Sequence, residues 1–164
     1  GLLEQLHTSS GRVPTEKAVR WYVNTLFDSY REQLEKQREL TLHAAERMRE
    51  RIARKYHVIA GTMDEDRSVR ISGFERLFQL PEFRDEEILR HVGYALDHIA
   101  NEYTALVSKM GARAVTILVG SDLAGDKTTG ASIMIVPIQS HGALFIAGSM
   151  RMPYGTIIQE LLNI

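Results

Sequence analysis

The feature that most limits what this chain can fold into is a stretch without helix breakers. Residues 15–60 contain neither Gly nor Pro, and apolar side chains recur at Val19, Tyr22, Val23, Leu26, Phe27, Tyr30 and Leu34, then at Ala45, Met48 and Ile52. Spacings of three and four put these on one face of a helix. One or two helices over about 40 residues would extend on the order of 60 Å at the standard rise, more than the diameter of a small domain. Such a stripe needs a surface to bury it. A two-fold mate is the expectation, with Val19, Tyr22, Val23, Leu26, Tyr30, Leu34, Met48 and Ile52 as the dimerisation residues, because the rest of the chain is small. The alternative is a helix pair folding back on its own domain.

The pattern changes after residue 55. Residues 56–61 form a short apolar strand ended by Gly61, and Val69–Ser72 alternates as a second strand across the acidic turn Asp64, Glu65 and Asp66. Residues 74–80 read as a short helix stopped before Pro81. Asp85, Glu86 and Glu87 suit the first turn of a helix, where the dipole favours acids. Ile88, Val92, Leu96, Ile99, Tyr103, Leu106 and Met110 then hold one face until Gly111. Three β-like runs follow at 114–119, 133–137 and 143–147, and a last helix at 153–162. The fold class is therefore α+β, with long N-terminal helices followed by a mainly antiparallel sheet carrying helices.

Composition excludes several classes. Among 164 residues there is no cysteine, so disulfide, thiolate and cysteine-metal chemistry are absent. No apolar run approaches the roughly 20 residues of a membrane-spanning helix, and no membrane partner is expected. The start lacks a signal-peptide pattern and reads as a cut from something longer, with the cytoplasm as the expected compartment. Residues 1–55 hold eleven Lys and Arg against eight Asp and Glu, whereas residues 56–164 hold nine against thirteen. A polyanion would prefer the first segment, although such charge also suits a plain solvated face.

Enzymatic readings fare poorly, and no catalytic residue, metal or cofactor is expected. The segment Gly120, Ser121, Asp122, Leu123, Ala124, Gly125, Asp126, Lys127, Thr128 resembles a phosphate loop, but Asp126 intrudes before the lysine and β-like residues follow where a helix is required. His91 and His98 lie two helical turns apart, too far for one ion, and His98 with Glu102 is a commonplace pair one turn apart. Ser121 and Ser132 lack an evident base.

Three segments in fixed order resemble the HrcA family of heat-inducible transcription repressors: residues 1–15 with Arg20, Trp21, Tyr22 and Val23; residues 71–83, from Ile71 through Pro81, Glu82 and Phe83; and Gly148, Ser149, Met150, Arg151, Met152, Pro153 and Tyr154. The resemblance implies that residues 1–15 are the last strand and wing of a winged-helix DNA-binding domain, 16–55 dimerisation helices, and 56–164 a small GAF-like domain. It departs in Leu6, Ser10 and Ala18, in the missing helix-turn-helix, and in the short passage from Thr62 to Ser68 where the family carries an insert. It further implies a negative regulator of heat-shock genes that binds an inverted-repeat operator as a homodimer, with chaperonin as a possible modulator. The wing loop His7, Thr8, Ser9, Ser10, Gly11 and Arg12 would meet nucleic acid, hydroxyls and amides bonding phosphates and Arg12 pairing with phosphate or entering a minor groove. A GAF-like sensor or interaction module without DNA binding stays open, as does an effector pocket between the sheet and the helix at 85–110; a filled core of Ile, Val, Leu and Met is the preferred reading of that space.

Overall fold

The computed structural model describes residues 1–5, 12–37, 39–110 and 114–163. A two-stranded antiparallel hairpin, β1 (Leu3–Gln5) and β2 (Arg12–Pro14), leads into α1 (Glu16–Lys36) and α2 (Leu42–Tyr56). Strands β3 (Ile59–Met63) and β4 (Val69–Ser72) come next, then the single turn α3 (Phe74–Leu77) and the long α4 (Glu86–Met110). Strand β5 (Thr116–Val119), the short α5 (Ser121–Ala124), strands β6 (Ala131–Ile138) and β7 (Gly142–Ser149), and α6 (Tyr154–Leu162) complete the chain.

The five later strands form one sheet in the order β4-β3-β7-β6-β5, every neighbouring pair antiparallel. Helix α4 carries the chain from one edge of this sheet towards the other and packs on one face. There Val92, Ala95, Ile99 and Tyr103 meet Ile59, Met63, Ile133, Ile135 and Phe145. Helices α1, α2 and α6 cover the opposite face, with Val23, Met48, Ile52, Ile157 and Ile158 against Ala60, Val119, Met134, Val136, Leu144 and Ile146. Successive strand side chains point to opposite faces, so β6 and β7, covered on both, bury nearly every residue. That is why they read in the sequence as continuous apolar runs. The space between α4 and the sheet is filled by these side chains.

Local chemistry sets the element boundaries. The Thr15 and Thr41 hydroxyls accept from the amides of Ala18 and Ala44, each satisfying an orphan donor in a first turn. The interruption between α1 and α2 contains neither Gly nor Pro; Gln37 turns extended, and Leu40 bridges Ile138 at the end of β6. What the sequence presents as one long stripe is therefore two helices laid back on the sheet. Gly61 lies opposite Phe145 on the neighbouring strand, and a Cβ there would sit 2.0 Å from the Phe145 ring, so the aromatic fills the space the glycine leaves. Gly73, at φ 105°, takes a backbone conformation that side chains resist, immediately ahead of α3.

Most expected boundaries hold within a few residues. The strand expected at 56–61 starts at Ile59, because Tyr56 completes the last turn of α2 and His57 ends it in the left-handed region. The helix expected at 74–80 is a single turn followed by a bend, with a 3-10 turn at Pro81–Arg84. The proposed stop at Gly111 lies outside the described residues.

Candidate nucleic-acid interface and its coupling to the sheet

The hairpin is joined to α1 through one residue. Thr15 donates its amide to the Leu2 carbonyl at 3.1 Å and its hydroxyl to the Gly1 carbonyl at 3.2 Å, while that same oxygen caps α1. Strand pairing runs Leu3 with Pro14, Glu4 with Val13 and Gln5 with Arg12. No flexible linker separates hairpin from helix. Leu2 and Leu3 are half exposed, an apolar pair with little cover in this chain. Of the proposed wing residues, His7, Thr8, Ser9, Ser10 and Gly11 lie outside the described residues, and Arg12 opens β2.

The first turn of α1 is clamped to the far edge of the sheet. Arg20 Nε donates to both carboxylate oxygens of Asp122, at 3.2 and 3.1 Å. Its Nη2 donates to Glu16 at 2.8 Å, the Ser121 hydroxyl at 2.9 Å and the Val119 carbonyl at 3.3 Å. Glu16 accepts in turn from the Ser121 amide and hydroxyl, both at 3.0 Å, and Asp122 accepts from the Val119 amide at 3.2 Å. The hydrogen bond from Arg20 to Asp122 and the two nearby carboxylates raise the guanidinium pKa, against a smaller opposing effect of burial. Gly120 makes this approach possible: it sits at φ 57°, and a Cβ there would lie 1.9 Å from a Glu16 carboxylate oxygen.

No local sequence pattern signals this clamp, since Arg20 and Asp122 are 102 positions apart. Residues 120–128 resemble a phosphate loop in sequence, and in the fold that loop closes on itself. The buried Thr128 hydroxyl donates to the Gly120 carbonyl at 2.8 Å and accepts from the Ala124 amide at 3.1 Å. The hydroxyl that a phosphate loop would turn towards its metal is thus used within the loop. His91 is likewise engaged, its Nδ1 accepting from the Gly130 amide at 2.9 Å. Among the described residues no group of His, Asp and Glu is arranged to hold a metal ion.

The residues proposed for dimerisation divide into two sets. Val19, Val23, Leu34, Met48 and Ile52 are buried in the chain's own core beneath α1 and α2. The periodic stripe is thus covered largely by the chain's own sheet, the fold-back arrangement left open by the sequence, because periodicity reports a buried face without naming its partner. Leu26 and Tyr30 are half-buried at the rim of that core, with the Tyr30 hydroxyl accepting from Gln159 at 2.7 Å. Tyr22 is 46% exposed and meets Tyr154 edge-on at 6.5 Å, while Trp21 beside it is 65% exposed. Trp21 and Tyr22 form an aromatic surface on the outer side of α1, at the hairpin end of the molecule.

Behind them lies a buried polar chain. Tyr154 donates to Ser132 at 2.8 Å, Ser132 donates to the Ser149 carbonyl at 2.9 Å, and Ser149 donates to Glu82. Tyr154, Ser149 and Glu82 belong to the Gly148–Tyr154 and Pro81–Phe83 segments that carried the family resemblance, and with Ser132 of β6 they tie α6, β6, β7 and the turn before α4 together. Burial pushes the Tyr154 phenol upward, opposed by its bond to Ser132.

Comparison with known proteins agrees with this reading of the fold. A family model described as the HrcA protein C-terminal domain matches residues 13–158. No curated protein matches. A crystal structure of a protein described only as hypothetical is similar in fold, with a TM-score of 0.66 at 13% identity, covering 99% of this chain and 81% of the other. With the family model spanning nearly all of its length, the chain belongs to the HrcA family.

Proposed function

We propose that this chain is the regulatory portion of a heat-shock transcription repressor that acts by binding operator DNA and not by catalysis. The hairpin at 1–15 serves as the wing of a DNA-binding head, α1 and α2 (16–55) join the head to the body and present the dimer surface, and 56–164 form a GAF-like body. In the intact protein a homodimer in the cytoplasm would place two wings on an inverted-repeat operator, with chaperonin modulating the amount of active repressor. Among the described residues no helix is long and apolar enough to cross a membrane.

The observation that carries this reading is the hairpin fixed to α1 through Thr15, because a wing must hold a set orientation relative to the body to act with a second copy. Family membership and the five-stranded antiparallel sheet covered on both faces support it. On the outer face of α1, Trp21 and Tyr22 are the dimer contacts this reading favours, since exposed aromatic pairs of this kind anchor interfaces.

Binding of the intact protein to an inverted-repeat operator duplex, followed by fluorescence anisotropy over a range of salt, tests the wing. Replacing Arg12 with Ala should weaken binding to all sequences alike and lower the salt slope by about one, as for a phosphate contact. An unchanged affinity and slope would remove Arg12 from the interface.

A further inference from the structure

We infer that the outer edge of β5 is a docking site for an extended apolar peptide carrying basic residues, received as a sixth strand of the sheet. The antiparallel ladder decides which groups are free. The Gly120 amide donates to Ala131 at 2.8 Å, and the register pairs Leu118 with Ile133 and Thr116 with Ile135. Hydrogen-bonded pairs alternate along such a ladder, so Thr116 and Leu118 spend their amides and carbonyls on β6, whereas Ile117 and Val119 direct theirs away from it. At Val119 the outward groups are already satisfied by side chains: Asp122 accepts from its amide and Arg20 donates to its carbonyl. The clamp thus occupies one end of the edge in place of a neighbouring strand. Two residues earlier, the outward amide and carbonyl of Ile117 have no partner among the described residues.

Ile117 also lines a cleft of about 800 Å³ between α1 and the sheet. Phe27, Leu34, Leu40, Val136 and Pro137 supply its apolar lining. Unpaired backbone donors and acceptors beside an apolar trough are the requirements of strand addition, in which the main chain gives affinity and alternate side chains enter the trough. The charge of the occupant follows from the rim. Asp28 is paired with Arg31, while Glu35 and Glu39 have no cationic partner among the described residues. A peptide alternating β-branched and basic residues satisfies both the trough and this rim.

The test uses a short fluorescent peptide alternating valine with lysine, a matched peptide with glutamate in place of lysine, and hydrogen exchange of the full chain. The lysine peptide should bind saturably, the glutamate peptide at least about tenfold more weakly, and the Ile117 amide, fast-exchanging in the free protein, should become protected in the complex. Ile117→Pro removes the outward donor without taking a bond from the ladder, since proline is admitted on an edge where its nitrogen faces outward. It should weaken the lysine peptide by up to about tenfold, the worth of one lost hydrogen bond. The double variant Glu35→Lys with Glu39→Lys, confined to the rim, should erase the preference for lysine while leaving the melting temperature in place. Indifference to peptide charge, no protection at Ile117, or concentration-dependent protection of Ile117 without peptide would each overturn the proposal; the last would identify a second copy of the chain as what covers the edge.

Discussion

Thr15 connects two units with one side chain, and its replacement separates their energetics. Thr15→Ala should cost about 1 kcal/mol as a lost helix cap, measurable by urea denaturation, and should speed exchange of the Ala18 amide. Gly120 is a second such point. Ala at this position would be strained at positive φ and would displace the Glu16 carboxylate, so Gly120→Ala should destabilise by about 1–3 kcal/mol and release the first turn of α1. Wild-type exchange rates at residues 16–20 in that variant would show that the clamp survives. Tyr103 gives a dependence on pH. Burial raises its phenol from 10.0 to about 12, and it donates to the His141 carbonyl at 3.0 Å. The unfolded chain therefore loses this proton first, so the contribution is intact below pH 10 and declines as pH rises towards about 12. Tyr103→Phe should be less stable near neutrality and show a shallower alkaline decline; an equal slope in the two proteins would contradict the assignment. At the other end of the scale, the Lys55 hydrogen bond holds the Glu160 carboxyl below its usual value, and that small, salt-sensitive contribution fades as pH falls through the carboxylate range.

At the level of elements, the sequence was most informative where one physical rule acted alone. The α4 stripe from Ile88 to Tyr103 is a single periodic face against one surface, and the helix appears at Glu86–Met110. Val69–Ser72 is found at those bounds as the edge strand β4, although its apolar positions Val69 and Ile71 stay exposed, so here the alternation marks a strand without marking a buried face. Boundaries blurred where a cap decides: nothing in the apolar pattern around residues 37–41 separates α1 from α2, whereas the Thr41 cap does. The clamp and the β5 cleft were not legible, since both arise from residues about a hundred positions apart brought together by the sheet order. What covers the α1 stripe was equally hidden, because Val19 and Val23 carry the same spacing whether they face β5 or a second molecule. Arg20→Ala should expose this layer, raising exchange at the Val119 amide and lowering stability modestly, as expected for a half-exposed network. Unaltered exchange at Val119 would mean that Asp122 holds the edge unaided.

For the whole molecule, the arrangement separates a stable body from a small projecting hairpin. Strands β6 and β7 of the sheet are covered on both faces, whereas Leu2 and Leu3 at the start of the hairpin are half exposed. Residues 1–164 alone should therefore bind duplex DNA weakly and with little sequence preference, since the proposed wing lacks a base-reading helix beside it; tight, salt-resistant operator binding by these residues would contradict this. If Trp21 and Tyr22 meet a second copy, Trp21→Ala should shift the molecular mass seen by light scattering towards the monomer without lowering the melting temperature of the body.

Helix α1 is a rigid rod of 21 residues with the hairpin fixed at its beginning and the sheet edge gripping its first turn. At the usual rise it is about 30 Å long, so a pivot of about 10° at one end sweeps the other through roughly 5 Å, a large fraction of a groove's width. Because the clamp holds the same end that carries the hairpin, it suppresses this sweep at the tip, and a grip on the rod matters more to where the tip points than to whether the body stays folded.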